Sequence, residues 1–437
     1  MIPKQNPILS PSARLSALGA LVQSLDKHKP LDSAWVADRH FSSMSPSDKA
    51  FAQLLAKTAL RRLGQIDAIL SQFLERPLAP SASRVMHTLR LGVVQLIWLD
   101  TPPHAAVHSA VEMTKQLKME KFGGLVNAVL KKVAQGGKAI ADAQDAARLN
   151  TPQWLWESWE KAYGPDTARR IAEMHLKEPP LDISVKSDPA FWAEQLGGVV
   201  LPIGGSVRLR DTRNITQLKG FSEGSWWVQD LAATIPARLL GDVREKRVID
   251  LCAAPGGKTA QLAAGGAKVS AVDMSKERIA MLKTNVHRLK LQADYVTTDA
   301  SKWLPAIAPD AILLDAPCSA TGTLRRHPDV AWHRRPEDIA RLVVTQAKML
   351  RHAFDMLKPG GILVYSVCSL QPEEGEEQIT SFLAERKDAV LTPVDPAIIG
   401  GLTECITGRG ELRTLPCHLA ELDGMDGFYA AVLRKKG

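Results

Sequence analysis

From about residue 226 onward, short apolar runs alternate with amphipathic stretches, and this pattern constrains the fold more than any other feature of the chain. The runs Arg247–Cys252, Val269–Val272, Tyr295–Thr298, Ala311–Leu314 and Gly361–Tyr365 read as buried strands. Between them, Lys276–Leu291 and Glu337–Leu357 carry helical spacing. Strands separated by helices cannot pair as hairpins, so they are expected to run parallel in a doubly wound α/β sheet. The closing stretch Gly427–Arg434 reads as an antiparallel edge strand.

The first third has a different period. Leu15, Leu18, Leu21, Val22 and Leu25 recur at helical spacing, as do Leu63, Ile66, Ile69, Leu70 and Phe73. Ser45-Pro-Ser-Asp48 is a helix start and Pro102-Pro103 separates two later helices. Residues 1–140 are therefore expected to form an all-α bundle. Residues 136–150 read as a linker or weak helix after Gly136-Gly137, and Trp154, Trp156 and Trp159 follow at a spacing that suits packing. The pieces Ile183–Val185 and Val207–Arg210 read as strands of a small α+β subdomain within 141–225, leaving 226–437 for the sheet domain.

Charge follows the same division. Residues 1–140 hold 18 Lys and Arg against 9 Asp and Glu, so the whole net charge of +8 sits in the first third. A basic helical module beside a near-neutral sheet domain suits docking to a polyanion. The chain has five cysteines and no C-x-x-C pair, which argues against a disulfide framework and a zinc site. Free thiols imply the reducing cytoplasm. No apolar run of about 18 residues exists to span a membrane, and Lys4 and Arg14 argue against a signal peptide.

The chemistry-bearing residues sit where strands end. Cys252-Ala253-Ala254-Pro255-Gly256-Gly257-Lys258 follows the first strand. Its glycines let backbone approach a ligand and the next helix offers unpaired N–H groups. A P-loop needs glycine where Cys252 stands, and no G-x-G-x-x-G occurs, so phosphate-cradle and dinucleotide readings fail. Asp273 after the second strand suits both hydroxyls of a ribose, and Asp299 after the third suits an adenine amino group. This ladder fits S-adenosylmethionine.

Asp315-Ala-Pro-Cys318 and Tyr365-Ser-Val-Cys368-Ser369 end two later strands. A thiolate is a strong nucleophile even when scarce at neutral pH. It suits an otherwise unreactive acceptor such as C5 of cytosine: addition at C6 makes C5 nucleophilic, while a carboxylic acid at N3 offsets the developing charge. Cys368, Asp315 and Cys318 supply the thiol, the acid and a helper for release. The residues alone leave open which thiol attacks.

The segments Asp250–Thr259, Asp315–Asp329 and Tyr365–Ser369 together resemble the RsmB/Nop2/Sun family of RNA cytosine-5 methyltransferases over roughly residues 150–435. The continuation Arg325-Arg326-His327-Pro328-Asp329-Val-Ala-Trp332 resembles the branch that methylates one cytosine of bacterial 16S rRNA. The resemblance implies a Rossmann-like methyltransferase sheet, with Cys252 to Lys258, Asp273, Asp299 and Asp315 contacting S-adenosylmethionine. It also implies Cys368 as the nucleophile and Cys318 as the thiol that assists release. Val367 departs from the threonine common before the nucleophile and removes a hydroxyl near the thiol.

Arg90–Leu96, Pro102–Met113 and Val126–Lys132 resemble NusB, an RNA-binding factor. The expected partner is 16S rRNA, free or in early small-subunit assembly intermediates, bound by a monomer without a metal. Arg61, Arg62, Lys131 and Lys132 are candidate phosphate contacts, and Arg325, Arg326 and His327 are candidates near the substrate. The alternatives are the same chemistry on tRNA or 23S rRNA, or a non-catalytic assembly factor.

Overall fold

The computed structural model describes residues 11–209 and 214–437, so Lys4 and Arg210 lie outside the described residues. The chain divides into two units, Met1–Lys177 with Leu324–Arg334, and Glu178–Thr323 with Arg335–Gly437.

The first unit is helical, built on Pro11–Leu21, Pro46–Arg61, Leu63–Phe73, Ser83–Ile97, Pro103–Gln116 and Gly123–Ala143. Their apolar faces bury Leu21, Leu55, Leu60, Ile66, Ile69, Leu89, Val94 and Leu130 in one core. The hydroxyl of Ser45 accepts from the Asp48 amide at 3.1 Å, the N-cap the sequence predicts. Gly136-Gly137 does not break the chain into a linker: the helix Gly123–Ala143 runs straight through both. A Cβ on Gly137 would lie 2.8 Å from Val133 Cγ1 and 3.0 Å from Ile97 Cδ1, so close helix packing explains the glycine. The unit also extends past residue 140 through helices Gln153–Tyr163 and Pro165–His175, where Trp156 and Trp159 are buried.

Leu324–Arg334 completes this unit. Asp329 Oδ2 accepts from the Leu31 amide at 2.9 Å, and Trp332 Nε1 donates to the Leu60 carbonyl at 2.8 Å. Arg61 Nη2 donates to the Arg325 carbonyl at 2.8 Å.

The second unit begins with a small antiparallel sheet. Its strands are β1 (Leu181–Val185), β2 (Gly198–Val200), β3 (Ser206–Leu209) and β4 (Trp226–Val228), ordered β2-β3-β1-β4. One helix, Pro189–Leu196, completes the expected α+β subdomain.

The main sheet holds β5 (Arg247–Leu251), β6 (Lys268–Asp273), β7 (Asp294–Thr297), β8 (Ala311–Asp315), β9 (Ile362–Val367), β10 (Ala389–Thr392), β11 (Leu412–Thr414) and β12 (Phe428–Lys435). Its order is β10-β12-β9-β8-β5-β6-β7, with β11 also on β12. The strands β5 to β9 pair in parallel, and β12 runs antiparallel to β9 with Tyr429 opposite Val367. Leu350, Phe354, Ile379 and Phe382 cover one face of the sheet, while Leu231, Ile235 and Leu262 cover the other. This is the doubly wound α/β fold that the alternation predicts. One expectation fails: β12 is not at the edge, because β10 and β11 pair along its other side. Each is only three or four residues long, too short to show a period.

Candidate active site

Because β9, β8, β5, β6 and β7 are parallel neighbours, their C-terminal ends line one edge of the sheet. Along that edge come Cys368, then Asp315 and Cys318, then the Cys252–Lys258 loop, then Asp273, then Asp299.

The loop turns sharply. Cys252 has φ +60° and Gly256 has φ +104°, the left-handed region that glycine enters freely and a cysteine rarely does. The turn is held from below by Asp250, which is fully buried and accepts from the Thr259 hydroxyl at 2.6 Å. Burial pushes its carboxyl up to about 7 despite that hydrogen bond and the nearby Lys258 charge. Burial likewise pushes the Cys252 thiol up to about 12, helped by the charges of Asp315, Asp273 and Asp250, so Cys252 stays a thiol.

Asp273 ends β6 and is nearly buried at 2% exposure. Its Oδ2 accepts from the Ala254 amide at 3.2 Å and its Oδ1 from the Ser275 amide at 3.0 Å, with Arg278 Nη1 3.3 Å from Oδ2. A carboxylate has about four acceptor sites; Oδ2 already meets two donors, so the free position is on Oδ1. Asp299 is more exposed and its contacts are local: the Ser301 amide at 2.9 Å and Lys302 at 3.7 Å. The Ser301 amide hydrogen bond holds its carboxyl below the usual range.

Asp315 ends β8. Lys258 Nζ donates to its Oδ2 at 2.7 Å and the Ser366 hydroxyl to its Oδ1 at 3.1 Å, tying β5, β8 and β9 together. Burial alone would lower the Lys258 ammonium, but the charge and hydrogen bond of Asp315 outweigh it and raise the group. The Cys318 and Cys368 sulfurs lie 3.4 Å apart, within hydrogen-bonding distance, and both are partly exposed. Their loops are cross-linked by the Gly322 amide donating to the Cys368 carbonyl at 3.0 Å. The hydrogen bond to Cys368, then burial, raises the Cys318 thiol well above its ordinary value.

The sequence-predicted catalytic and cofactor residues thus share one edge, linked by hydrogen bonds from Ala254 to Asp273, Lys258 to Asp315 and Cys318 to Cys368. The candidate RNA contacts are not equivalent. Arg325 is completely buried and Arg61 is 7% exposed, so neither presents its guanidinium to a phosphate as expected. Their charges, after burial, hold His175 neutral by lowering its imidazole to about 3. Arg62 is half-buried, donating to Gln65 at 3.1 Å and the Leu176 carbonyl at 3.2 Å. Arg326 and His327 are half-buried, whereas Lys131 and Lys132 are exposed. A run such as Arg325-Arg326-His327 reads as surface because its neighbours in sequence are polar; burial comes from helices far away in the chain. Sequence reasoning missed Ser366 and Glu374, both of which touch the thiol-bearing loops.

Among the described residues no helix is long and apolar enough to cross a membrane. The profile of the 16S rRNA methyltransferase RsmB/F family matches residues 237–434, and that of the NusB family matches residues 11–135. The ribosomal RNA small subunit methyltransferase B of Vibrio cholerae is 35% identical, over 97% of this chain and 98% of its own. The Sodalis glossinidius protein of the same name is 36% identical over 90% of this chain and 94% of its own. Among solved structures, PH0851 superposes over 99% of this chain and 100% of its own, with a TM-score of 0.77 at 23% identity. NSun6 from Pyrococcus horikoshii, solved with SFG, covers 65% of this chain and 98% of its own, with a TM-score of 0.56 at 22% identity. Those two likenesses show a shared fold, and the curated relatives show more: this chain belongs to the RsmB/F family of 16S rRNA methyltransferases, with a NusB-family module in its N-terminal third.

Proposed function

We propose that the protein methylates C5 of one cytosine in 16S rRNA through a transient bond between Cys368 and C6 of the ring. The observation that carries this reading is the pair of sulfurs 3.4 Å apart, next to an acid–ammonium pair at 2.7 Å, on the ligand edge of the sheet. S-adenosylmethionine is the cofactor and supplies the methyl group. The Cys252–Lys258 turn and Asp273 would hold it, Asp273 through its carboxylate toward the ribose hydroxyls, with Asp299 toward the adenine.

The thiolate of Cys368 forms the S–C6 bond, and the displaced electron pair makes C5 nucleophilic. Lys258 brings a protonated amine to the N3 edge, where negative charge develops, and the Asp315 carboxylate holds that amine in place. Once C5 carries both its proton and the methyl group, a base removes the proton. The freed pair restores the C5–C6 double bond and expels the Cys368 thiolate. Cys318, in contact with that sulfur, assists the expulsion. Exposed Lys131 and Lys132 are suited to phosphate contacts.

Bisulfite sequencing of rRNA and tRNA from cells lacking the gene tests the substrate. The expected result is loss of one 5-methylcytosine in 16S rRNA. A mark lost from tRNA or 23S rRNA instead, or no loss at all, would reject it. At the cofactor side, Asp273→Ala is expected to weaken S-adenosylmethionine binding about 10- to 100-fold, the worth of one or two charge-assisted hydrogen bonds. RNA affinity should be unchanged. Calorimetry giving the same cofactor Kd for both proteins would remove Asp273 from the ribose role.

A further inference from the structure

Glu374 closes the short turn Pro372–Glu374 just beyond Cys368 and is completely buried. Its Oε1 accepts from the Ser319 amide and from Gln346 Nε2, each at 2.9 Å. Its Oε2 accepts from the hydroxyls of Ser319 and Ser369, each at 2.5 Å. The Tyr365 hydroxyl donates to its backbone carbonyl at 2.7 Å. Ser319 directly follows Cys318 and Ser369 directly follows Cys368. One carboxylate therefore grips both thiol-bearing loops at the residue next to each sulfur.

All four side-chain hydrogen bonds come from neutral donors. A buried carboxylate costs several kcal/mol of desolvation that a neutral amide would largely avoid, so the charge itself calls for a reason beyond cross-linking. We infer that Glu374 is a positioning residue for the reaction: it fixes the two sulfurs in contact, and its negative charge keeps the proton of the pair on Cys318, leaving Cys368 to attack. This inference rests on the covalent reading above and deepens it, since it concerns why the two thiols differ.

The surroundings agree. The hydrogen bond to Cys368 is the main cause that raises the Cys318 thiol, followed by burial and by the charges of Cys368 and Glu374. The other charged or titratable groups packed here are Lys258 and Asp315 on the cofactor side and Tyr365 beneath, while Arg413 donates to the Ser369 carbonyl at 2.5 Å. Two further links, the Leu370 amide donating to the Thr321 hydroxyl at 3.0 Å and the Gly322 amide donating to the Cys368 carbonyl at 3.0 Å, hold the loops without involving the carboxylate. Removing the charge should therefore alter protonation more than position.

The test uses the full chain, S-adenosylmethionine and a 16S rRNA transcript, comparing wild type with E374Q and E374D. In E374Q the amide can face the two serine hydroxyls, which rotate to accept, so shape is kept and charge is lost. Its kcat is expected to fall about 10- to 100-fold with KM and cofactor affinity unchanged. Its alkaline limb should move about one pH unit lower, because a thiol freed from a nearby negative charge loses its proton sooner. E374D keeps the charge and should keep the wild-type pH profile at a reduced rate. An E374Q enzyme with wild-type kcat and profile would overturn the inference. Should E374Q fail to bind cofactor, E374D decides: a shifted alkaline limb there rejects the role of charge, and an unshifted one supports it. A wild-type enzyme that forms no 5-methylcytosine in the same assay rejects the covalent reading instead.

Discussion

Cys368→Ala is expected to abolish methyl transfer, lowering kcat on the order of 10^4-fold or more, as removal of a nucleophile does elsewhere. The reason is chemical rather than structural. Without sulfur at this position no bond forms at C6, and C5 of an aromatic pyrimidine does not attack an alkyl group unaided. The side chain is partly exposed and small, so its loss leaves only a minor cavity. Affinity for RNA and for S-adenosylmethionine should stay within about twofold, because Cys368 is asked to bind neither. Incorporation of labelled methyl groups into a 16S transcript is the measurement, with binding assays alongside. Appreciable turnover by the alanine enzyme would end the proposal that this thiol attacks.

Cys318→Ala should fail differently. Addition and methylation proceed, but the helper that lies 3.4 Å from Cys368 is gone, and the protein remains bonded to its product. Turnover should stop after about one equivalent, and a protein–RNA adduct should accumulate that migrates slowly on a denaturing gel. The double variant lacking both thiols should form none. Adduct accumulating in Cys368→Ala, with Cys318→Ala merely inactive, would show the two roles interchanged.

Much of this site could be read from the chain because its parts are local. Each motif follows an apolar strand and is punctuated by glycine or proline, so Cys252–Lys258, Asp273, Asp315, Cys318 and Cys368 fall at strand ends before the fold is known. Knowing that those strands are adjacent and parallel then suffices to bring the groups together. What escaped is what depends on distant partners. Glu374 sits in Pro-Glu-Glu, which looks like any acidic helix start, and only the fold brings Ser319 to it. Arg325 resembles a surface cation until the helix bearing Arg61 is packed beside it. Gly137 looks like a break and turns out to be a contact, because its missing side chain is what Ile97 needs. The strands β10 and β11 hold too few residues for any pattern to rise above chance.

The loan of Leu324–Arg334 to the helical unit bears on how this protein can be cut or recombined. A fragment ending at residue 177 would strip the Leu31 amide and Leu60 carbonyl of Asp329 and Trp332, and would empty the place that Arg325 fills. Chimeras that exchange NusB-type modules among relatives should therefore carry this short stretch along with the module. A graft joined only at the apparent boundary is expected to melt earlier than one that moves both pieces.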